Sequence, residues 1–590
     1  MASLYDSASL VMIPSGVKES KLYSIKPTDG TGDFTFTRGT DTATRVNSAG
    51  LIEKETQNLL LQSNQFDTTW TLSNASVTGG HSGYDGNSTA WELERTGTSG
   101  FLYQVNAQSG VITFSFYAKE NSLSWLRVVV DSGTNADAYI NLSDGSVGGG
   151  SSYIDVNTYD VGNDWYRISI THNDSAHSNY RIYPAVNDGD ISGTSGNIYI
   201  QSAQLEQSLV ARTYIDTTTA AVYAGITDNL PRLDYSDSSC PALLLEPQRT
   251  NLVTQSEYTG GYSGFNSTQD FNAAISPEKV QNAVKIIATT HNTQHNRFTA
   301  FSASGSYSFS VFAKAGEYEF AQLYGGGNQG SRFSVVVNLS DGSIDTYDNI
   351  TTSQIDVQDY GDGWYRIVVN GFNNTHTFIA IAPIKESGLS RDANYDIDYA
   401  GDGTSGVYFY GLQVEAGSYA TSYIPCMGVS ATRAKEGAQV TSVSDLIGQT
   451  QGTLFAEVDS FGVGESANRI LCISNGTSAE RVIMLTRSNG FRFIVTNSSV
   501  NGVDYTNYTT TNGVHKLAMT YDANEVRIFV DGAKVTTDSS VTLPSLLNSV
   551  HIGKVEITDS YNNNFGGSAK QALVFKTALT DAECITLTTL

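Results

Sequence analysis

Cysteine, proline, charge and long apolar runs are all scarce in this chain of 590 residues. The four cysteines, Cys240, Cys426, Cys472 and Cys584, are widely scattered with no CxxC pair, so neither a disulfide framework nor a zinc site is signalled. Ten prolines are too few for a proline-rich stalk. No apolar run approaches the roughly 20 residues that cross a bilayer, and no membrane insertion is expected. The N-terminus has no basic stretch followed by an apolar run, so a secretory signal is not expected either. Charged residues make up 16%, and the formal net charge of −25 repels phosphate backbones, which argues against nucleic-acid partners. Catalytic signatures are missing as well. There is no nucleophile elbow, no glycine-rich phosphate loop and no Ser/His/Asp grouping that spacing supports, so an enzyme is not expected. His291 and His295 have HxxxH spacing, but they fall in a loop ahead of Phe298, where the helical premise of a metal pair fails.

What the chain does have is glycine (55), tyrosine (33) and abundant Ser, Thr and Asn, the composition of β-structure with many tight turns. It also has a repeat. Phe114-Ser-Phe-Tyr-Ala-Lys119 returns as Phe309-Ser-Val-Phe-Ala-Lys314, and Asn141-Leu-Ser-Asp-Gly-Ser146 returns unchanged as Asn338 to Ser343. Gly162-Asn-Asp-Trp-Tyr-Arg-Ile168 returns as Gly361-Asp-Gly-Trp-Tyr-Arg-Ile367, and Gln204-Leu-Glu206 as Gln413-Val-Glu415. Landmarks in one order at one broad spacing indicate a duplicated domain rather than a solenoid. Duplicated β-modules multiply weak contacts, which points to binding and assembly.

The period-two alternation of segments such as Val111-Ile-Thr-Phe-Ser-Phe, with turn signals between them, predicts an all-β chain of sandwiches. The expected divisions are an N-terminal attachment segment (1–56), sandwich copy 1 (57–217), a connector (218–248), sandwich copy 2 (249–435) and an unrelated C-terminal domain (440–590). The last ends in a strand and a short helix capped by Thr580 or Asp581.

Two resemblances add to this. His515-Lys-Leu-Ala-Met-Thr-Tyr-Asp522, Arg527-Ile-Phe-Val-Asp-Gly532 and Phe575-Lys-Thr-Ala-Leu-Thr-Asp-Ala-Glu583 resemble a concanavalin-like, laminin-G-type jelly roll. Leu245-Glu-Pro-Gln-Arg-Thr-Asn-Leu252 and Gln413-Val-Glu-Ala-Gly-Ser-Tyr-Ala-Thr-Ser-Tyr-Ile-Pro425, with Ala431-Thr-Arg433, resemble segments of bacteriophage head-spike, head-fibre and tail-fibre proteins, which combine them with carbohydrate-binding-module-like sandwiches. Together they imply two homologous β-sandwich (jelly-roll) domains followed by a concanavalin-like jelly roll. They also imply a virion location after assembly in the host cytoplasm. The implied partners are other virion proteins, host-surface glycans and further copies of the chain in a homo-oligomer, with a trimer as the expected state. A polysaccharide depolymerase and a ligand-free scaffold are the competing classes.

Sugar recognition needs exposed aromatic faces, and the candidates are Trp70, Tyr103, Trp125, Tyr324, Tyr505 and Tyr561. Trp165 and Trp364, matched between the copies, are expected to be core. Gln204/Glu206 and Gln413/Glu415 each project to one face of a strand and are expected to hold a neighbouring loop's backbone. Asp392, Asp396, Asp398 and Asp402 cluster before Gly403 as oxygen ligands that would suit a structural calcium ion, the one cofactor considered.

Overall fold

The computed structural model describes residues 2–328, 330–461, 468–487, 490–510, 512–523, 525–554 and 565–590, and it is almost entirely β. Each repeated sandwich is built on one pair of very long antiparallel strands. In copy 1 these are Phe101–Glu120 and Trp165–Ala185, paired from Leu102↔Ile182 to Lys119↔Trp165. In copy 2 they are Asn296–Ala315 and Trp364–Ile384, paired from Arg297↔Ile381 to Lys314↔Trp364.

Strands this long must bend, and both pairs do so at the same place. The ladder of copy 1 shifts register around Gln108, next to Gly110 at φ +81°, and that of copy 2 shifts at Ala300/Ala303 and Tyr307/Phe309, on either side of Gly305 at φ +107°. A bulge with a left-handed glycine is the usual way to turn a strand from one layer into another. A buried histidine fastens each bend: His177 Nε2 donates to Gly110 O at 2.9 Å and His376 Nε2 to Gly305 O at 3.0 Å.

One half of the copy 1 pair continues through Trp125–Ser132 and Ala136–Asn141; the other half pairs with Asn197–Glu206 and Asp155–Gly162. The inward residues of the two layers, among them Ile112, Phe114, Leu126, Val128, Ile168 and Ile182, meet as one dry core.

Trp165 and Trp364 are each 2% exposed. They lie in small satellite clusters, with Ala90 and Tyr117 in copy 1 and with Ile52, Phe312 and Tyr423 in copy 2. Tyr166 and Tyr365, one residue on, pack on the main cores instead. The tryptophans are therefore buried as expected but on the outer side of their layer, because alternation turns Ile168 and Ile367 inward.

The C-terminal sandwich takes strands from across the chain. One of its sheets holds Arg232–Asp234, Ala242–Leu245, Gly567–Phe575, Gly452–Ser460 and Gly513–Tyr521 in that order, and Leu10–Met12 also pairs with Gly567–Phe575. The other sheet begins Val17–Lys18, Lys21–Leu22, Phe34–Thr37, Gly437–Thr441. Leu10, Met12, Phe34 and Phe36 share a core with Leu454, Phe493 and Ile528. The N-terminal segment, expected to act as an attachment contact, thus supplies strands to the far end of the same chain. The closing helix Asp581–Thr588 is capped by Thr580, whose hydroxyl accepts from Glu583 N at 3.3 Å.

Five buried charges tie the parts together. Arg38 pairs with Glu436 at 3.0 Å, Arg232 with Glu246 at 2.7 Å and with Glu436, and Arg433 with Glu246 at 2.9 Å. Burial would raise the Glu246 carboxyl, but Arg433 and Arg232 outweigh it and hold it down to about 2. The N-terminal segment, the connector, the end of copy 2 and the start of the C-terminal sandwich all contribute, so the segments around Leu245 and Arg433 are joints of the fold. The two copies also touch directly. Val111 N donates to Met427 O at 3.1 Å, and a Cβ on Gly110 would come within 1.8 Å of that carbonyl.

Candidate functional site

The site is one face of the first sandwich, and its members follow from strand alternation. Along Trp125–Ser132 the odd positions Trp125, Arg127 and Asp131 point away from the core that holds Leu126, Val128 and Val130. Cross-strand register places Arg127 opposite Tyr139 on one side and Tyr183 on the other, and places Arg181 opposite Tyr103. Phe101, Tyr103, Trp125, Arg127, Arg181 and Tyr183 therefore share one surface.

The surface is a floor of rings crossed by guanidinium groups. Phe101 and Tyr183 stack at 4.5 Å, and Phe101 lies 5.6 Å from Tyr103. Arg127 sits over Tyr139 at 5.6 Å and Tyr183 at 5.8 Å, and Arg181 sits over Phe101 at 5.6 Å. Asp137 holds Arg127 at 2.7 Å, and Asp131 holds Arg181. Tyr139 and Tyr183 are buried, and burial raises the Tyr139 phenol, whereas Phe101, Tyr103 and Trp125 remain half-exposed. Trp125 closes one edge against Gly148, where a Cβ would meet its ring at 2.8 Å. Gly149 N donates to Asp188 at 2.8 Å, which fixes the 186–192 loop beside it. Half-open rings beside fixed donors and acceptors suit a ligand with both apolar faces and hydroxyls.

The same face of copy 2 is closed. Phe320, Gln322 and Tyr324 stand where copy 1 has Trp125, Arg127 and Val129, opposite Val336, Ala382 and Ala380. Residues 385–402, longer than the 186–192 loop, fold over them. Gln322 Nε2 donates to Tyr395 O at 2.7 Å, Tyr399 OH donates to Pro383 O at 2.6 Å, and Arg391 pairs with Asp348. Ile397 and Tyr399 join the copy 2 core.

This cover corrects one expectation. Tyr324 is 3% exposed, accepts from Asn296 Nδ2 at 2.6 Å and offers no open ring. The acidic run hydrogen-bonds within the cover itself. Asp392 accepts from Asn394 N at 2.7 Å and Asp396 N at 3.0 Å, and Asp402 accepts from Thr404 N at 2.8 Å and Ser405 N at 2.7 Å. Those bonds hold the Asp402 carboxyl well below its usual range, while burial raises that of Asp396. Asp398 is exposed. Among the described residues no group of three or more His, Cys, Asp or Glu is placed to hold a metal.

Of the remaining aromatic candidates, Trp70 is 5% exposed, tilted on Phe66 at 5.1 Å and donating to Gln62 O, so it is core and not a sugar platform. Tyr505 is half-buried on the C-terminal core, and Tyr561 lies outside the described residues. Tyr103 and Trp125 are brought onto one face. Phe101, Arg127, Tyr139, Arg181 and Tyr183 were not read as site residues. The alternation of Trp125-Leu-Arg-Val and Arg181-Ile-Tyr183 carried the signal, but only strand pairing shows that these segments are neighbours.

The matched Gln/Glu pairs are structural. Gln204 Nε2 donates to Glu206 at 2.7 Å and Gln413 Nε2 to Glu415 at 2.6 Å, and each glutamine accepts from a backbone N–H, of Ile215 or Ile424, at 2.7 Å. His295 is buried between the carbonyls of Asn266 and Tyr399.

Residues 434–584 match the family model of the Concanavalin A-like lectin/glucanases superfamily, of the Laminin_G_3 type. No curated protein matches the chain. Among solved structures, Ruminococcus gnavus IT-sialidase CBM40 bound to α2,3-sialyllactose is 17% identical over 24% of this chain and 84% of its own, with a TM-score of 0.22. Domain 4 of a GH43 extracellular arabinanase from Geobacillus stearothermophilus, in complex with arabinotriose, is 15% identical over 29% and 80%, at 0.23. A heptameric SAP-like pentraxin from Limulus polyphemus is 16% identical over 23% and 69%, at 0.20. At such TM-scores these likenesses carry no argument about this chain. No helix among the described residues is long and apolar enough to cross a membrane.

Proposed function

We propose that this protein is a non-catalytic glycan-binding component of a bacteriophage virion, a head fibre, spike, decoration or tail-fibre protein. The observation that carries glycan binding is the open ring-and-arginine face of copy 1, where Trp125 and Tyr103 flank Arg127 and Arg181. The concanavalin-like lectin family match of residues 434–584 supports the same class of ligand. The virion assignment rests on the resemblance of residues 245–252 and 413–433 to phage fibre and spike segments. Its partners are then host-surface glycans, neighbouring virion proteins and two further copies of the chain, with single-site affinity kept weak and adhesion gained by avidity.

A glycan array probed with the purified protein tests the reading. Binding is expected, and Trp125→Ala with Tyr103→Ala should abolish it while leaving Tm near that of the parent. An array with no signal, together with labelled protein absent from purified virions, defeats the proposal. Release of new reducing ends from host capsule points instead to a depolymerase.

A further inference from the structure

A cleft of about 970 Å³ lies where copy 2 meets the C-terminal sandwich. That is the upper end of the roughly 300–1,000 Å³ typical of small-molecule sites. One wall is a sheet face whose register aligns Asp234 with Ala242, Leu244 with Ser568, and Ser568 with Asp459. The opposite wall is the outer face of copy 2, where Gln358 lies across from Arg366 and Asp356 across from Val368. The hairpin of Arg45–Val46 and Ile52–Glu53 closes a third side.

Charge decides what fits. The lining includes Asp234, Asp237, Asp356, Asp359, Asp362 and Asp459. Its cations are largely committed: Arg45 to Glu53 at 2.9 Å, Lys279 to Asp362, and Arg366 to Ser310 Oγ at 3.0 Å and Thr421 O at 2.7 Å. An anion would meet carboxylates on both walls. A bare cation fares no better, because among the described residues no three His, Cys, Asp or Glu are placed to hold one. Yet Ser460 and Ser568, 0% and 3% exposed, line the cleft with buried hydroxyls that meet no partner among the described residues. Orphaned hydroxyls beside carboxylates ask for a ligand that both donates and accepts. Tyr235 and Tyr360, both half-buried, add flat apolar rings. Burial, and after it the neighbouring Asp237, raises the Asp459 carboxyl.

We propose that this cleft binds a neutral, hydroxyl-rich oligosaccharide, with Asp237 and Asp459 accepting from sugar hydroxyls and Ser568 both donating and accepting. It is a second site, apart from the copy 1 face, and does not depend on that face binding anything.

Cys240 supplies the test, since it lines the cleft and is the exposed one of the four cysteines. An environment-sensitive fluorophore on Cys240 of the full chain is titrated with neutral trisaccharides (maltotriose, xylotriose, mannotriose, laminaritriose), with sialyllactose and trigalacturonate, and with calcium chloride. Unlabelled protein is run in parallel by calorimetry. At least one neutral trisaccharide should bind by both methods. Asp237→Asn, an exposed position that does not threaten folding, should weaken it about tenfold or more, the scale of a hydrogen bond to a charged group. Response to the acidic sugars or to calcium alone overturns the proposal. So does binding indifferent to Asp237→Asn, or no response to any neutral probe.

Discussion

In copy 1, Arg127 and Arg181 lie over phenylalanine and tyrosine rings at a half-open surface. In copy 2 the same register positions hold Gln322 and Ala380 beneath residues 385–402. Around this difference the copies agree down to single polar contacts. Asn58 and Asn251 each accept from two backbone N–H groups and donate to two carbonyls. Retained polar contacts are those with no alternative partner once buried, because losing one strands the other. The outer face carries no such debt. One copy could keep it open while the other exchanged arginines for small residues and grew a cover. The comparison teaches that the duplicated part is scaffold and the divergent part is where function should be sought.

The largest test of the shared scaffold is Trp364→Ala beside Trp165→Ala. Each should cost about 3–5 kcal/mol in chemical denaturation. Trp364 should be the costlier, because its cluster includes Ile52 of the N-terminal segment and its Nε1 donates to Ile275 O at 3.0 Å. Equal, small losses at both sites would break the claim that matched residues are structural. A second test exchanges residues 385–402 for residues 186–192. Removing the buried Ile397 and Tyr399 should cost roughly 2–4 kcal/mol. The newly opened face, lacking arginine, should gain no glycan binding. If it does bind glycans, the rings and not the arginines make the copy 1 site.

Much of this architecture was legible in the sequence. Period-two runs, Asp-Gly turns and repeated landmarks give strands and the duplication, because those signals are local. The long-range assembly was not. Nothing local in Leu10-Val-Met12 says that it pairs with Leu573 and its neighbours, and nothing in Arg232, Glu246, Arg433 and Glu436 says that they meet. The candidate site was half legible. Trp125 and Tyr103 could be named as aromatics off the repeat. Trp70 and Tyr324 could not be rejected, since exposure depends on which loop covers a ring.

The copies also begin after oppositely tuned carboxylates. Glu55, just ahead of copy 1, is pushed up to about 8 by burial and then by Asp41 and Asp228. A carboxyl raised on folding contributes stability that is fully present below its unfolded value near 4.5 and is lost as pH climbs through about 8. Glu246, just ahead of copy 2, is held at about 2, so its contribution is present above about 4.5 and is lost as pH falls through about 2. Tm measured from pH 2 to 9 should therefore sag at both ends. Glu55→Gln should flatten the alkaline side and leave the acid side unchanged. An alkaline slope that survives Glu55→Gln assigns it to another group.

The smallest expected effect is the sharpest on function. Arg127→Lys keeps the charge beside Asp137 but loses the planar group that spans Tyr139 and Tyr183. The pair is partly solvated, so stability should change by less than about 1 kcal/mol. If the guanidinium only braces the strand, glycan retention should follow stability and hardly move. If it orients a sugar over the rings, retention should fall several-fold while Tm holds. Gln322→Glu in copy 2, buried under the cover, supplies the contrast: it should lower Tm and leave retention unchanged. A result in which both variants shift only Tm would make the two faces equivalent and remove the distinction between the open copy and the closed one.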